Sequence, residues 1–211
     1  MDTKSTGVSM VLIAVAATVL GVAVYPSLPA EVAAHWGTMG EVDGYLPKAW
    51  GIFMFPYIML FTFLVWWVIP YVEPMKKNLE AFREAYNGFW LVIAVFLFYV
   101  YVLVIGTNVG WEFNFVQALA PGLALFLAGA GVLLAESKRN YFVGIRTPWT
   151  LSSDKVWKRT HLLGSKLFYL CAVWTFLGVV FPQYLMWLLF VPLTITVLIT
   201  TGYSYIEFRR Q

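Results

Sequence analysis

Six stretches of this chain are long and apolar enough to cross a bilayer, at about residues 7–25, 50–71, 86–106, 115–135, 162–181 and 184–204. A spanning helix needs about 20 predominantly apolar residues. In hydrocarbon every backbone N–H and C=O must be satisfied within the protein, which leaves helices or closed barrels as the spanning structures. Runs of this length are helical, so the expected fold is an all-α polytopic membrane protein with six transmembrane helices. Composition excludes the soluble alternative. The chain is 61% hydrophobic and 12% charged, whereas a soluble domain carries about 25% charged residues. At 211 residues there is room for one membrane domain, residues 1–211. It divides into residues 1–71 (two spans joined by the loop 26–49), 86–136 (the third and fourth spans), and 137–211 (a basic loop and the last two spans).

The orientation follows from where positive charge collects. Thirteen of the 14 Lys and Arg residues fall on one side of the six-span layout, leaving Lys48 alone on the other. Basic residues concentrate in cytoplasmic loops, so both termini and the loops 72–85 and 137–161 are expected inside. The loop 26–49 and the connector 107–114 are expected outside. This implies a multi-pass membrane protein with its N- and C-termini inside. The first span is read as retained: its basic region is a single Lys4 beside Asp2, and its apolar stretch exceeds a typical signal core. Loop 72–85 is expected to form a brief interfacial helix, with Phe82 towards lipid and Lys76, Lys77 and Arg83 towards phosphates.

The spans themselves are poor in chemistry. Charge at mid-depth is costly and usually retained for coupling to ions or protons; here Lys166 sits near a span end, with Glu112 and Glu136 at others. That argues against an ion-coupled transporter, although Pro121-Gly122 leaves a broken-helix transporter or channel as an alternative. Pro56, Pro121 and Pro192 are expected to kink their helices. Pro182-Gln183 makes a tight hairpin between the last two spans. Cys171 lies in an apolar run and is read as a packing residue. Ala124, Ala128, Gly129 and Gly131 supply a small-residue face for close packing within the monomer or for a homodimer.

The outer loop contains the only clustered metal-ligand types, His35, Glu41 and Asp43. Leu28-Pro29 is expected to start a short surface helix, with Trp36 at the interface and Asp43-Gly44 as a turn. A two-carboxylate, one-histidine site would give a membrane-embedded metal-dependent hydrolase as a further alternative. The spacing matches no catalytic motif, so no catalytic residue, metal or cofactor is assigned. The loop residues are expected instead to bond and cap the loop.

The inner loop carries the most information. Residues 138–164 read KRNYFVGIRTPWTLSSDKVWKRTHLLG. Pro148 biases Thr147 towards extended geometry, and Gly144 allows an unusual turn. Ser152 or Ser153 can cap a helix with Asp154 in its first turn, running through Trp157, His161 and Gly164 into the fifth span. A basic anchor on anionic lipid is the plain reading. Tyr141, Phe142, Ile145, Trp149 and Leu151, interleaved with the charges, point instead to a folded plug with Arg146 and His161 as its polar members.

The run Asn140-Tyr-Phe-Val-Gly-Ile-Arg-Thr-Pro-Trp-Thr-Leu151, followed by Trp157 and Thr160-His161, resembles the SdpI-type immunity proteins of the sporulation-delaying toxin system. Leu28-Pro29, His35-Trp36, Gly40, Asp43-Gly44 and Lys48 resemble the short domain of unknown function that usually precedes that signature. The resemblance implies a multi-pass protein of a prokaryotic cytoplasmic membrane that protects its producer from a secreted peptide toxin outside. It also implies, as in the best-known member, capture of a soluble repressor inside, with no direct contact to nucleic acid. The residues expected to respond to such partners are Asn140, Gly144, Arg146, Thr147, Pro148, Trp149, Trp157 and His161. Outside they are His35, Trp36, Glu41 and Asp43.

Overall fold

A computed structural model describes residues 2–211. Six of its helices are long and apolar enough to span a membrane. They are α1 (Thr3–Val24), α2 (Lys48–Val72), α4 (Arg83–Asn108), α5 (Phe115–Glu136), α7 (Asp154–Phe176) and α8 (Leu185–Arg209), with the short helices α3 (Lys76–Glu80) and α6 (Pro148–Ser152) between them. α1 is capped by Asp2, whose carboxyl accepts from the Ser5 N–H at 2.8 Å. Those bonds hold the Asp2 carboxyl below its ordinary pKa. α2 continues through Pro56 and Pro70, α5 through Pro121 and α8 through Pro192.

The spans pack as two groups of three. α1, α2 and α4 contact one another, as do α5, α7 and α8, and the groups join along α4 and α5. Both termini lie at one end of the bundle: Thr3 Oγ1 accepts from Arg83 and Asn87, and Gln211 donates to Ser153 Oγ at 2.7 Å. The small residues of α5 serve the junctions within the chain. A Cβ on Gly131 would press on the Ser165 carbonyl at 3.2 Å, and one on Gly129 would meet Val92 at 3.0 Å. Cys171 is buried, its sulfur 3.3 Å from Thr196 Oγ1.

Several expectations require correction. The chain is mostly helical but not all-α: the segment from Glu31 to Pro47 is an antiparallel hairpin, β1 (Glu31–Trp36) and β2 (Val42–Pro47). Leu28-Pro29 therefore leads into a strand, not a helix, and the extended backbone seats Val32 against Gly51 of α2 and Ala33 on Asn108 of α4. The turn is at Gly37–Gly40, where Gly40 has φ +88°, while Asp43 and Gly44 lie within β2. Phe82 is 4% exposed and packs in the α1–α2–α4 core, not towards lipid. Arg83 turns inward with it, bonding Thr3 and pairing with Glu80 at 3.5 Å. The fifth long helix, in keeping with the sequence reading, begins at Asp154 behind its Ser153 cap and runs unbroken into the fifth span.

Candidate functional site

Each end of the bundle is covered by a folded segment that touches both three-helix groups. At the end away from the termini this is the hairpin. Asn108, in the last turn of α4, grips β1 with both ends of its amide: Oδ1 accepts from the Ala33 N–H at 2.8 Å, and Nδ2 donates to the Ala33 carbonyl at 3.0 Å. Asn114 donates to the Met39 carbonyl at 2.9 Å and also caps α5. Trp36 stacks on Phe115 of α5 with centroids 3.8 Å apart. Val32 is fully buried against Gly51 of α2. The one basic residue at this end, Lys48, points into the Tyr25 and Leu28 carbonyls and over the Tyr25 ring.

The outer-loop candidates separate. His35 Nδ1 lies 2.5 Å from Asp43 Oδ1 across the two strands, with side chains 74% and 45% exposed. Glu41 folds over Gly37 instead of joining them. Among the described residues no three His, Cys, Asp or Glu side chains converge to hold a metal. An exposed pair of this kind aligns the strands and contributes little to stability.

At the terminal end the loop 137–153 is a compact plug, built by local chemistry. Asn140 is fully buried; its Oδ1 accepts from the Phe142 and Val143 N–H groups and its Nδ2 donates to the Lys138 and Val143 carbonyls. That closes a tight turn, which Gly144 reverses at φ +115°. Ile145 then donates its N–H to His161 Nε2 at 2.9 Å, while His161 Nδ1 donates to the Trp157 carbonyl at 2.8 Å. A carbonyl can only accept and an N–H can only donate, so the geometry selects the neutral Nδ1–H tautomer. The His161 ring stacks on Trp157 at 4.0 Å, and both residues are 1% exposed. Trp157 Nε1 donates to the Ser137 carbonyl at 3.0 Å.

Thr147, extended before Pro148, caps α6 through a reciprocal bond pair with Thr150. α6 docks on α8 through Thr147 and Ser204 at 3.0 Å and through Trp149 packed on Tyr205. Arg139 ties the ends of the plug together, donating to the Leu151 carbonyl and pairing with Asp154 at 2.9 Å. Of the eight inner candidates, seven are built into this framework. Arg146 differs from them: it is exposed, and its hydrogen bond among the described residues goes to the Tyr141 carbonyl. It is a polar member of the plug at its outer surface.

Two carboxylates that sequence reasoning passed over complete the site. Glu73, fully buried after α2, accepts from the Met75 N–H at 2.8 Å and the Tyr141 N–H at 3.0 Å. Nearby, Asn78 of α3 donates to the Arg139 carbonyl at 2.8 Å. Glu207 of α8 is 4% exposed and pairs with Arg159 at 2.6 Å. The plug is thus bonded on one side to Glu73 at the end of α2 and to the short α3, and on the other to α7 and α8.

This six-span helical bundle is a multi-pass membrane protein, and its residues 136–204, which include the plug, match the family model of the SdpI/YfhL protein family. Residues 12–60, spanning the hairpin, match a domain of unknown function (DUF1648). The chain is similar to the Immunity protein SdpI of Bacillus subtilis (strain 168), with 25% identity over 187 residues covering 88% of this chain and 87% of that protein. No solved structure matches it.

Proposed function

We propose that this protein confers immunity to a secreted, membrane-active peptide toxin. It does so with both termini in the cytoplasm of a prokaryotic cell, the hairpin outside and the plug inside. The support is that similarity to an immunity protein runs through 88% of the chain, including both end caps. Placing 13 of the 14 basic residues on the plug side accords with the positive-inside rule. Because each cap bonds both three-helix groups, a peptide that shifts the groups at the hairpin end changes the strain on the plug. Two arrangements of the plug are then biased by what binds outside. Exposed Arg146 is the side chain that a cytoplasmic repressor would meet.

The test is survival of a toxin-sensitive bacterial host expressing the chain and challenged with the sporulation-delaying toxin and a panel of membrane-active peptides. Wild type is expected to raise survival against at least one peptide. Arg146→Ala and His161→Ala are expected to lose that protection at equal membrane levels. Killing by every peptide at the rate of the empty-vector host would overturn the reading, and full protection by both variants would remove the plug from it.

A further inference from the structure

Beside the plug lies a chamber of about 380 Å³, bounded by α3, the end of α5 and the first turns of α7. Its floor is the stacked pair of Trp157 and His161, and its rim carries Lys138, Arg139 and Lys158 against one acid, Asp154. The acid is already committed to Arg139, at 2.9 Å. Neither lysine has an ion-pair partner among the described residues, and the floor offers no compensating negative charge, since both His161 nitrogens are engaged within the protein. The chamber therefore holds a net positive charge in a concave, walled space.

Its depth points to its occupant. α5 crosses in 22 residues, about 33 Å at 1.5 Å per residue, close to the roughly 30 Å hydrocarbon core of a bilayer. Ser137, the residue that follows α5, accepts from Trp157 Nε1, so the chamber floor lies at the boundary between acyl chains and head groups. Basic pockets between helices at this level bind anionic lipid head groups. We propose that the chamber is a phosphate site, filled by the head group of an anionic phospholipid and read by Lys138 and Lys158. Because Trp157 and His161 also anchor the plug, through Ser137 and Ile145, an anion seated there braces the plug.

The experiment is native mass spectrometry of the purified full chain, titrated with phosphatidylglycerol or phosphatidylcholine, with inorganic phosphate as competitor. The comparison is with the double variant K138Q/K158Q and the control K76Q/K77Q, which alters charge on α3 outside the chamber. Wild type and control are expected to retain one tightly bound phosphatidylglycerol. The K138Q/K158Q protein is expected to bind it about thirtyfold more weakly, the combined effect of two basic contacts. Retention indifferent to millimolar inorganic phosphate supports the lipid source; displacement by it supports the site with a soluble phosphate as occupant. Equal retention of phosphatidylglycerol by wild type and K138Q/K158Q, or equal retention of phosphatidylcholine by wild type, overturns the proposal. The readout is lipid retention and not survival, so this result stands apart from that of the immunity test.

Discussion

Ile145 donates its backbone N–H to the ring of His161, 16 residues further along the chain, at 2.9 Å. This one bond joins the apex of the plug to the helix beneath it. Replacing His161 by Ala removes the acceptor and opens a space beside Trp157. An unsatisfied buried donor costs about 1–3 kcal/mol, so the Ile145 amide is expected to exchange hydrogen roughly tenfold to a hundredfold faster in His161→Ala, with the α1–α2–α4 core unchanged. Amide exchange of the reconstituted protein checks this. Unchanged protection at Ile145 would mean that the apex is held by packing alone.

Gly144 is pressed against the same ring. Its φ of +115° disfavours any side chain, and a Cβ there would collide with His161 Nε2 and come within 3.2 Å of Trp157. Backbone strain of this kind is worth about 1–3 kcal/mol, before the steric term. Gly144→Ala is therefore expected to lower the thermal unfolding midpoint in nanodiscs, while Gly88→Ala, with open space around it, lowers it less or raises it. Equal midpoints for the two variants would contradict the fit between Gly144 and His161.

The plug was readable from sequence because its residues act locally. Gly144, Thr147-Pro148 and Ser153-Asp154 specify a turn, a cap and a helix start within a few positions, and hydropathy carries the rest of the helix. The hairpin was not readable. Two adjacent alanines at Ala33 and Ala34 interrupt the strand alternation, a register irregularity lies between Ala33 and Trp36, and Asp43-Gly44 imitates a turn while pairing within β2. What selects the extended form is distant: the Asn108 amide and the α2 surface around Gly51. Glu73 escaped for a similar reason. A lone carboxylate between Val72 and Pro74 at the end of a span reads as a solvated head-group residue, and its burial depends on a Tyr141 N–H 68 residues away.

Asn108 is the residue on which the hairpin's position depends most. Besides Ala33 it donates to the Val104 carbonyl at 2.9 Å, so its amide joins helix and strand. Asn108→Ala leaves the Ala33 N–H and carbonyl without that partner, at about 0.5–1.5 kcal/mol per lost bond. Limited proteolysis is expected to cut the turn near Gly37–Gly40 several-fold faster in this variant. Asn114→Ala, which frees only the Met39 carbonyl and the α5 cap, is expected to have a smaller effect. Identical cleavage of Asn108→Ala and wild type would show that Trp36 on Phe115, Asn114 on Met39 and Val32 on Gly51 hold the hairpin without Asn108.

Glu73 and Asn78 restrain one segment from two adjacent points, the first bonding the Tyr141 N–H and the second the Arg139 carbonyl. Side chains that hold a common segment act together, because once one clamp is open the segment can move away from the other. Glu73→Ala is expected to destabilise by about 1.5–3 kcal/mol, the range for bonds to a charged acceptor, and Asn78→Ala by less. The double variant should fall short of their sum by more than about 0.5 kcal/mol, the level at which coupling exceeds ordinary additivity. Thermal unfolding of the four proteins in nanodiscs measures the cycle. Strict additivity would mean that residues 139 and 141 move independently, and that the plug is joined to α2 and α3 by separate contacts and not by one clamp.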